Sequence, residues 1–507
     1  MSGHVADEEL KRSLSGAVWL IILGITALGG VLRLWDLSAK SFWIDELISL
    51  CSADAIQNVK TFFTPSCGNA HPPLYFLLLK AWAAFGQGEF YLRLLPVVFG
   101  IAVIPSVFLL GNELLGRRTA TIAAFLVAVS PFHLLYDREL RMYSLLTFLT
   151  VLSLCFFLKA LKDGRWFHWL VYAALSAVNV YVHYFAFLVV LFEWAFFLIQ
   201  YGKYRHLWKQ AICSQAIIAA FFAFWLPGLF YQIQNPALFT LDHPDKFPVA
   251  MGAWILKPLY LLFAFSLGQT IMPWNTVAIV GVAVFGTIAV LGIKNLKDNR
   301  DALVFILLYL CIPVIVGILV FSSMPRYYVF LAPVYYLVLG QGVASLPGMR
   351  AQTVASFALL LPLGVSISNY YRNREFHILA QVDPWREVGN YIRGQARSGD
   401  CLVAIGSGRP LGYYTANFEG FARPIYGDQF RDSVKCIEGG AGRRVWVVGA
   451  DSALQKVTEE ARRWFDEHYV RLDEKKFYKD PDYQMKSKFF RKSFLDYRIK
   501  VYLYGKP

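Results

Sequence analysis

Charged residues are scarce in this chain: Asp, Glu, Lys and Arg make up 17% of its 507 residues, where a soluble domain carries about 25%. The deficit excludes an ordinary water-soluble globule and points to lipid as solvent. An internal repeat is also missing, which argues against a transporter built from two related halves. Low-complexity stretches are absent as well. Cysteine is limited to seven residues.

What fills the chain instead is apolar: 57% of residues are hydrophobic and 16% aromatic. Runs long enough to cross a hydrocarbon core of about 30 Å recur from Gly16 to Ser368. The formal charge of +14 does not mark a nucleic-acid binder, because the basic residues sit in short loops between apolar runs and serve there as topological signals. The first run, Gly16 to Leu32, follows Lys11 and Arg12 as a signal peptide would. No small-residue cleavage site follows, so it reads as a retained helix.

Basic excess marks Arg117-Arg118, Lys159 to Arg165, Lys203 to Lys209, Lys294 to Arg300 and the turn at Arg350, which the positive-inside rule assigns to the cytoplasm. Acidic or mixed loops, Trp35 to Ala70, Tyr136 to Arg141, Gly228 to Lys257 and Ser322 to Arg326, then lie outside. Parity makes the short apolar segments His71 to Phe85 and Val249 to Gln269 interfacial or re-entrant. About eleven spans are expected, near 16–33, 94–115, 119–135, 143–161, 166–182, 184–200, 209–227, 274–293, 302–321, 328–346 and 352–369. An odd number leaves the tail outside.

The fold class is therefore a polytopic α-helical membrane protein with a small soluble α/β domain at its C-terminus. A membrane domain over 1–369, with an outer-face loop at 34–93, precedes an extracytoplasmic domain over 370–507. In that tail Trp385 to Arg397 and Ala453 to His468 have helical periodicity. Cys401 to Ile405, Val445 to Val448 and Arg498 to Tyr504 read as strands. Cys155, Cys213 and Cys311 fall within spans as packing residues. Cys51 with Cys67, and Cys401 with Cys436, form two pairs on the oxidising side and suggest two disulfides.

Three polar clusters lie flush against the outer membrane face, where a charge costs free energy unless it has a partner or a task. Asp45-Glu46 is flanked by Phe42, Trp43, Ile44 and Leu47, and partial desolvation makes a carboxylate a better proton acceptor. Tyr136 to Tyr143 packs four charges, Asp137, Arg138, Glu139 and Arg141, into one short turn. Its bland reading is a staple of Arg–carboxylate pairs. Arg326-Tyr327 sits where a guanidinium can bind a lipid phosphate by paired hydrogen bonds, or merely anchor the interface. His71 and His183-Tyr184 are weaker signals.

Together these groups suit transfer from a lipid-linked phosphosugar, which needs a base for the acceptor hydroxyl and positive charge on the departing phosphate. Asp45 fits the first task and Arg326 the second. Asp45 and Glu139 offer oxygen ligands for a divalent cation, Mg or Mn, although nothing requires one. No Gly-rich phosphate loop lies in a cytoplasmic segment, so no nucleotide-sugar site is expected. A transporter or flippase for a lipid-linked or small substrate is the alternative; it would place charge at mid-depth, where Glu193 is the main such residue.

At these residues the chain resembles the GT-C superfamily, in the branch of protein O-mannosyltransferases and aminoarabinose transferases. Phe42-Trp43-Ile44-Asp45-Glu46 is similar to its first-loop Trp-x-Asp-Glu motif, and His71-Pro72-Pro73-Leu74-Tyr75 to its His-Pro-Pro-Leu-Tyr motif. Tyr91 to Pro96 resembles its Arg-Leu-Pro entry to the second span. Ser130 to His133 followed by Arg138 to Tyr143 resembles its second loop. His183-Tyr184 and Arg326-Tyr327 match later positions. The resemblance implies Asp45 as catalytic base in an inverting reaction, Glu46 and Glu139 as further acidic residues, and Arg326, Tyr327, His71, His183, Tyr184 and Arg141 at the donor phosphate. It implies a polyprenyl-phosphate sugar donor, a glycan, lipid or protein acceptor, and a bacterial inner-membrane location with the site outside. Arg138 and Leu140 depart from the branch's Gln and Ala. The tail is not the β-trefoil of eukaryotic protein mannosyltransferases.

Overall fold

The computed structural model describes residues 2–235, 256–320, 324–405, 408–416, 444–450, 455–477 and 499–505. The chain divides into two compact units. One comprises Met1–Leu37 and Ile48–Tyr370, the other Ser38–Leu47 and Tyr371–Pro507.

The first unit is helical, and each expected span coincides with a helix or a broken pair of helices. Among the described residues seven helices are long and apolar enough to cross a membrane, or up to nine if two bent pairs each count as one span. The lower count has a simple cause. Trp166–Val180 has 15 residues, short of the roughly 20 a straight crossing requires. Ala186–Ile199 and Tyr201–Ala223 meet at 82°. The segments expected at the interface hold helices of 10 residues, Leu74–Ala83, and 12, Leu256–Leu267; residues 249–255 lie outside the described set.

The second bent pair, Arg117–Ala128 and Pro131–Asp137, turns through 57°. Pro131 has no N–H to continue the ladder, and the Ser130 hydroxyl restarts the helix by accepting from His133 N at 3.1 Å. The bend points the end of Pro131–Asp137 toward Glu89–Leu114, where Gly100 makes room: a Cβ there would sit 2.5 Å from Asp137 Cγ.

The second unit carries a four-stranded sheet in the order β1-β2-β4-β3: β1 Cys401–Ile405, β2 Arg444–Ala450, β3 Val470–Phe477 and β4 Ile499–Gly505. β1 and β2 run parallel; β4 is antiparallel to both of its neighbours. Val403, Val445, Val447, Phe465, Tyr502 and Tyr504 form its apolar core, with Phe465 supplied by the helix Gln455–His468.

The boundary expected at 369/370 falls between Tyr370 and Tyr371, but Ser38–Leu47 joins the C-terminal unit rather than the membrane unit. Hydrogen bonding explains the difference. Tyr414 Oη accepts from Phe42 N at 2.7 Å, and Arg386 donates to the carbonyls of Ser38 and Lys40 at 2.7 and 3.3 Å.

Candidate active site

The membrane unit gathers most of the expected site residues from four separate stretches. The first is the loop after the helix Ile44–Ala55. A Cys51–Cys67 disulfide closes it, with Cα atoms 6.0 Å apart; the second expected pair involves Cys436, outside the described residues. An Asn58–Thr61 capping box folds the loop's short helix Val59–Phe63. The chain then returns through Asn69, whose side chain accepts from His71 N at 3.0 Å, and Pro72-Pro73 start the next helix.

The second stretch is the tight turn after Pro131–Asp137, where Arg141 N bonds Glu139 O at 2.6 Å. The third is the break between Trp166–Val180 and Ala186–Ile199. Tyr181 O accepts from Leu74 N at 3.2 Å and so ties this break to the His71 loop. The fourth is the 3-10 segment Pro325–Leu331, buried throughout.

These stretches converge on His71. Arg141 Nη2 lies 3.1 Å from His71 Nε2, and Arg141 Nη1 donates to Ser49 Oγ at 3.2 Å. The ring centroids of His71 and His183 are 4.7 Å apart, and that of Tyr327 lies 6.2 and 5.5 Å from the two. Tyr143 completes the cage, 6.4 Å from His183 and 6.3 Å from Tyr327. The Arg326 guanidinium stands over the Tyr327 ring at 5.3 Å, and that of Arg141 over Tyr143 at 5.8 Å. All six side chains are buried.

Burial, and then the positive fields of Arg141 and Arg326, hold the His71 imidazole well below its ordinary pKa. Neutral His71 therefore accepts at Nε2 from Arg141, which always donates. His183 Nδ1 accepts from Phe185 N at 3.1 Å. Glu139 is buried in the same unit, and both it and Arg326 act electrostatically on Tyr136. The Tyr136 hydroxyl bonds Gln269, which reaches on to Tyr260 at 2.9 Å.

The structure separates other neighbours by role. The Tyr184 hydroxyl donates to Gln232 and accepts from Trp225 Nε1 at 2.9 Å. Gln232 in turn donates to His71 O at 3.2 Å, so Tyr184 supports the site from behind. Asp137 and Arg138 do not show the Arg–carboxylate pairing within the turn that its bland reading describes: their bonds here run to partners outside it. Asp137 accepts from Arg33 Nε at 2.9 Å, with neither side chain exposed. Arg33 also donates to Val127 O and Ala128 O, capping the helix that ends there. Arg138 donates to the carbonyls of Trp35 and Asp36 at 2.8 Å each, and Arg93 donates to Leu37 O at 3.2 Å.

Asp45 and Glu46 belong to the second unit, in the first turn of Ile44–Ala55. Glu46 is buried, and its carboxylate accepts from Trp43 N at 3.3 Å, the reach-back of a capping residue. Asp45 is half-buried. Among the described residues no group of three or more His, Cys, Asp or Glu is placed to hold a metal ion. Sequence reasoning did not single out Ser49, Asn69 or Gln232. A lone Ser, Asn or Gln carries no periodic or charge signal; only the fold aims them at Arg141 and His71.

The family model described as dolichyl-phosphate-mannose-protein mannosyltransferase matches residues 70–231, which include His71, Glu139, Arg141 and His183. No curated protein matches the chain in sequence. Among solved structures, ArnT from Cupriavidus metallidurans in the apo state aligns with a TM-score of 0.62 at 12% identity, over 97% of this chain and 98% of that one. The same protein bound to undecaprenyl phosphate gives 0.59 at 12%, over 96% and 98%. The archaeal oligosaccharyltransferase AglB from Archaeoglobus fulgidus, in complex with an inhibitory peptide and a dolichol-phosphate, gives 0.55 at 12%, over 85% and 69%. At such identities the likeness is one of fold.

Proposed function

We propose that this chain is a GT-C glycosyltransferase, an integral membrane enzyme that moves a sugar from a polyprenyl-phosphate donor to an acceptor hydroxyl, a reading supported by the family model over 70–231 and by the shared fold. One observation carries the proposal: two buried guanidiniums adjoin one aromatic cage, Arg141 at 3.1 Å from His71 Nε2 and Arg326 over the Tyr327 ring at 5.3 Å. The planar forks of arginine match a phosphate oxygen pair. The solved ArnT of similar fold is bound to undecaprenyl phosphate, which supports a polyprenyl phosphate as the ligand class.

In this reading Arg326 and Arg141 hold the carrier phosphate and His71 orients Arg141. Asp45, through its Trp-x-Asp-Glu motif, takes the proton from the acceptor hydroxyl as that oxygen attacks the anomeric carbon. The bond from that carbon to the phosphate oxygen breaks, and its electron pair leaves on the phosphate, where positive charge stabilises it. A single displacement inverts the anomeric centre. Glu139, buried in the same unit as the two arginines, helps place the acceptor. In the same reading the chemistry takes place on the extracytoplasmic side of a bacterial plasma membrane, and the charge bias of the loops supports that side.

Purified protein supplied with a synthetic polyprenyl-phosphate sugar provides the test. Asp45→Asn is expected to abolish transfer with the folded protein retained, and wild-type turnover in that variant removes Asp45 as base. Arg326→Ala is expected to weaken donor binding; an unchanged donor affinity removes Arg326 from the phosphate site. A retained anomeric configuration rules out the single displacement.

A further inference from the structure

The segment that carries Asp45 is built into the C-terminal α/β unit. The helix Trp385–Gln395 has Pro384 as its N-cap residue, and no side chain of its own caps it. A proline offers no side-chain oxygen to the orphan N–H groups of the first turn. Ser41 supplies it from 345 residues away: its Oγ accepts from Arg386 N at 3.0 Å. The bonding is reciprocal, because the Arg386 guanidinium returns to the Ser38 and Lys40 carbonyls at 2.7 and 3.3 Å.

Two further contacts fasten the same segment. Tyr414, on the helix Gly408–Thr415, accepts at its hydroxyl from Phe42 N at 2.7 Å. Phe42 meets the Tyr413 ring edge-on at 5.5 Å, and Lys40 stands over the Phe376 ring at 4.7 Å. Phe42 is fully buried and Ser41 nearly so. The bonds to Ser38, Lys40 and Phe42 fix backbone, and that to Ser41 fixes its side chain, just before Trp43, the residue from which the Asp45 helix starts.

We infer that the C-terminal α/β unit is a positioning device for the Asp45 segment, with Tyr414, Arg386 and Ser41 as positioning residues. The inference rests on Asp45 being the base proposed above. Freed from these bonds, the ten residues Ser38–Leu47 lose the order that aims the carboxylate. A misplacement of roughly 1 Å is enough to cost about 100-fold in rate.

The test compares Tyr414→Phe, Ser41→Ala and Ser41→Thr in the full-length protein, by hydrogen exchange and by sugar transfer. Tyr414→Phe keeps the ring and removes only the acceptor. Ser41→Thr keeps the capping hydroxyl. In Tyr414→Phe and Ser41→Ala, exchange is expected to rise in peptides covering 38–47 and to stay at wild-type level in the membrane helices. In the same variants kcat falls about 10- to 100-fold with little change in donor KM, and Ser41→Thr restores both readouts. Unchanged exchange over 38–47 overturns the inference whatever the enzyme does. Raised exchange with wild-type kcat overturns it too, since the contacts then serve structure alone. An inactive wild type, or an active Asp45→Asn, instead defeats the enzymatic reading, and the exchange data stand apart from that outcome.

Discussion

Arg141 Nη2 and His71 Nε2 lie 3.1 Å apart, with the imidazole as acceptor and the guanidinium as donor. The geometry holds only while His71 is neutral. Burial first, then Arg141 and Arg326, depress its pKa well below the ordinary 6.5, and His183 and Tyr327 pack on the same ring. A depressed folded-state value means that the unfolded chain takes up the proton more readily. His71 therefore contributes stability that is present in full above pH 6.5 and is lost as pH falls toward the folded value. His71→Gln, which retains an acceptor, is expected to flatten the acid limb of the thermal midpoint between neutrality and about pH 5. An acid limb identical to wild type would show that other groups set it.

Arg33 and Asp137 form an ion pair with both side chains at 0% exposure. Removing one partner strands the other charge, so Arg33→Ala or Asp137→Ala is expected to lower stability by about 3–5 kcal/mol. The double replacement by leucines restores much of that loss, because no charge is left buried alone. Chemical denaturation in detergent of the two alanine variants and of their double alanine combination measures the coupling, with the double leucine variant beside them. Simple additivity of the single losses would argue against the pair.

The disulfide between Cys51 and Cys67 closes a span of 16 residues, which carries Asn58 and Thr61 and leads back to His71. Closing a loop of that size stabilises by about 3 kcal/mol in the chain-entropy account. Cys51→Ser with Cys67→Ser, or reduction of the wild type, is expected to lower the thermal midpoint and loosen His71. Equal midpoints under oxidising and reducing conditions, with the bond confirmed by peptide mapping, would contradict this.

Glu193 lies buried on the helix Ala186–Ile199 and accepts from the Tyr172 hydroxyl at 2.7 Å; Gln215 donates to the same hydroxyl at 2.8 Å. Glu193→Gln keeps an oxygen acceptor and is expected to stay near wild type. Glu193→Ala leaves the buried Tyr172 O–H without its acceptor and costs about 1–3 kcal/mol. Transfer activity is expected to follow stability in both. A selective loss of activity in the stable Glu193→Gln variant would give this carboxylate a role in the chemistry.

The spans were readable from sequence because the signal is local: a run of apolar residues long enough to bridge hydrocarbon must be a helix whatever surrounds it. The same holds for Arg141 and Arg326-Tyr327, conspicuous as polar residues beside lipid, and less so for His71 and His183, which were weaker signals. Neighbouring charges were harder to sort. Asp137, Arg138, Glu139 and Arg141 are close in sequence, but the bend at Pro131 and the turn at Glu139–Arg141 set a different direction for each. Asp137 turns to Arg33, Arg138 to the end of the first helix and Arg141 to His71.

Composition and pattern alone therefore determined the membrane character, the helical spans and the set of residues worth suspecting. Only the tertiary structure decided which arginine meets which partner, and that Ser38–Leu47 is held by the C-terminal unit. Hydrophobic periodicity lies within a single element, whereas a hydrogen bond such as that from Arg386 N to Ser41 Oγ joins groups 345 residues apart. The orphan N–H groups it satisfies come into being only once the helix they begin has formed.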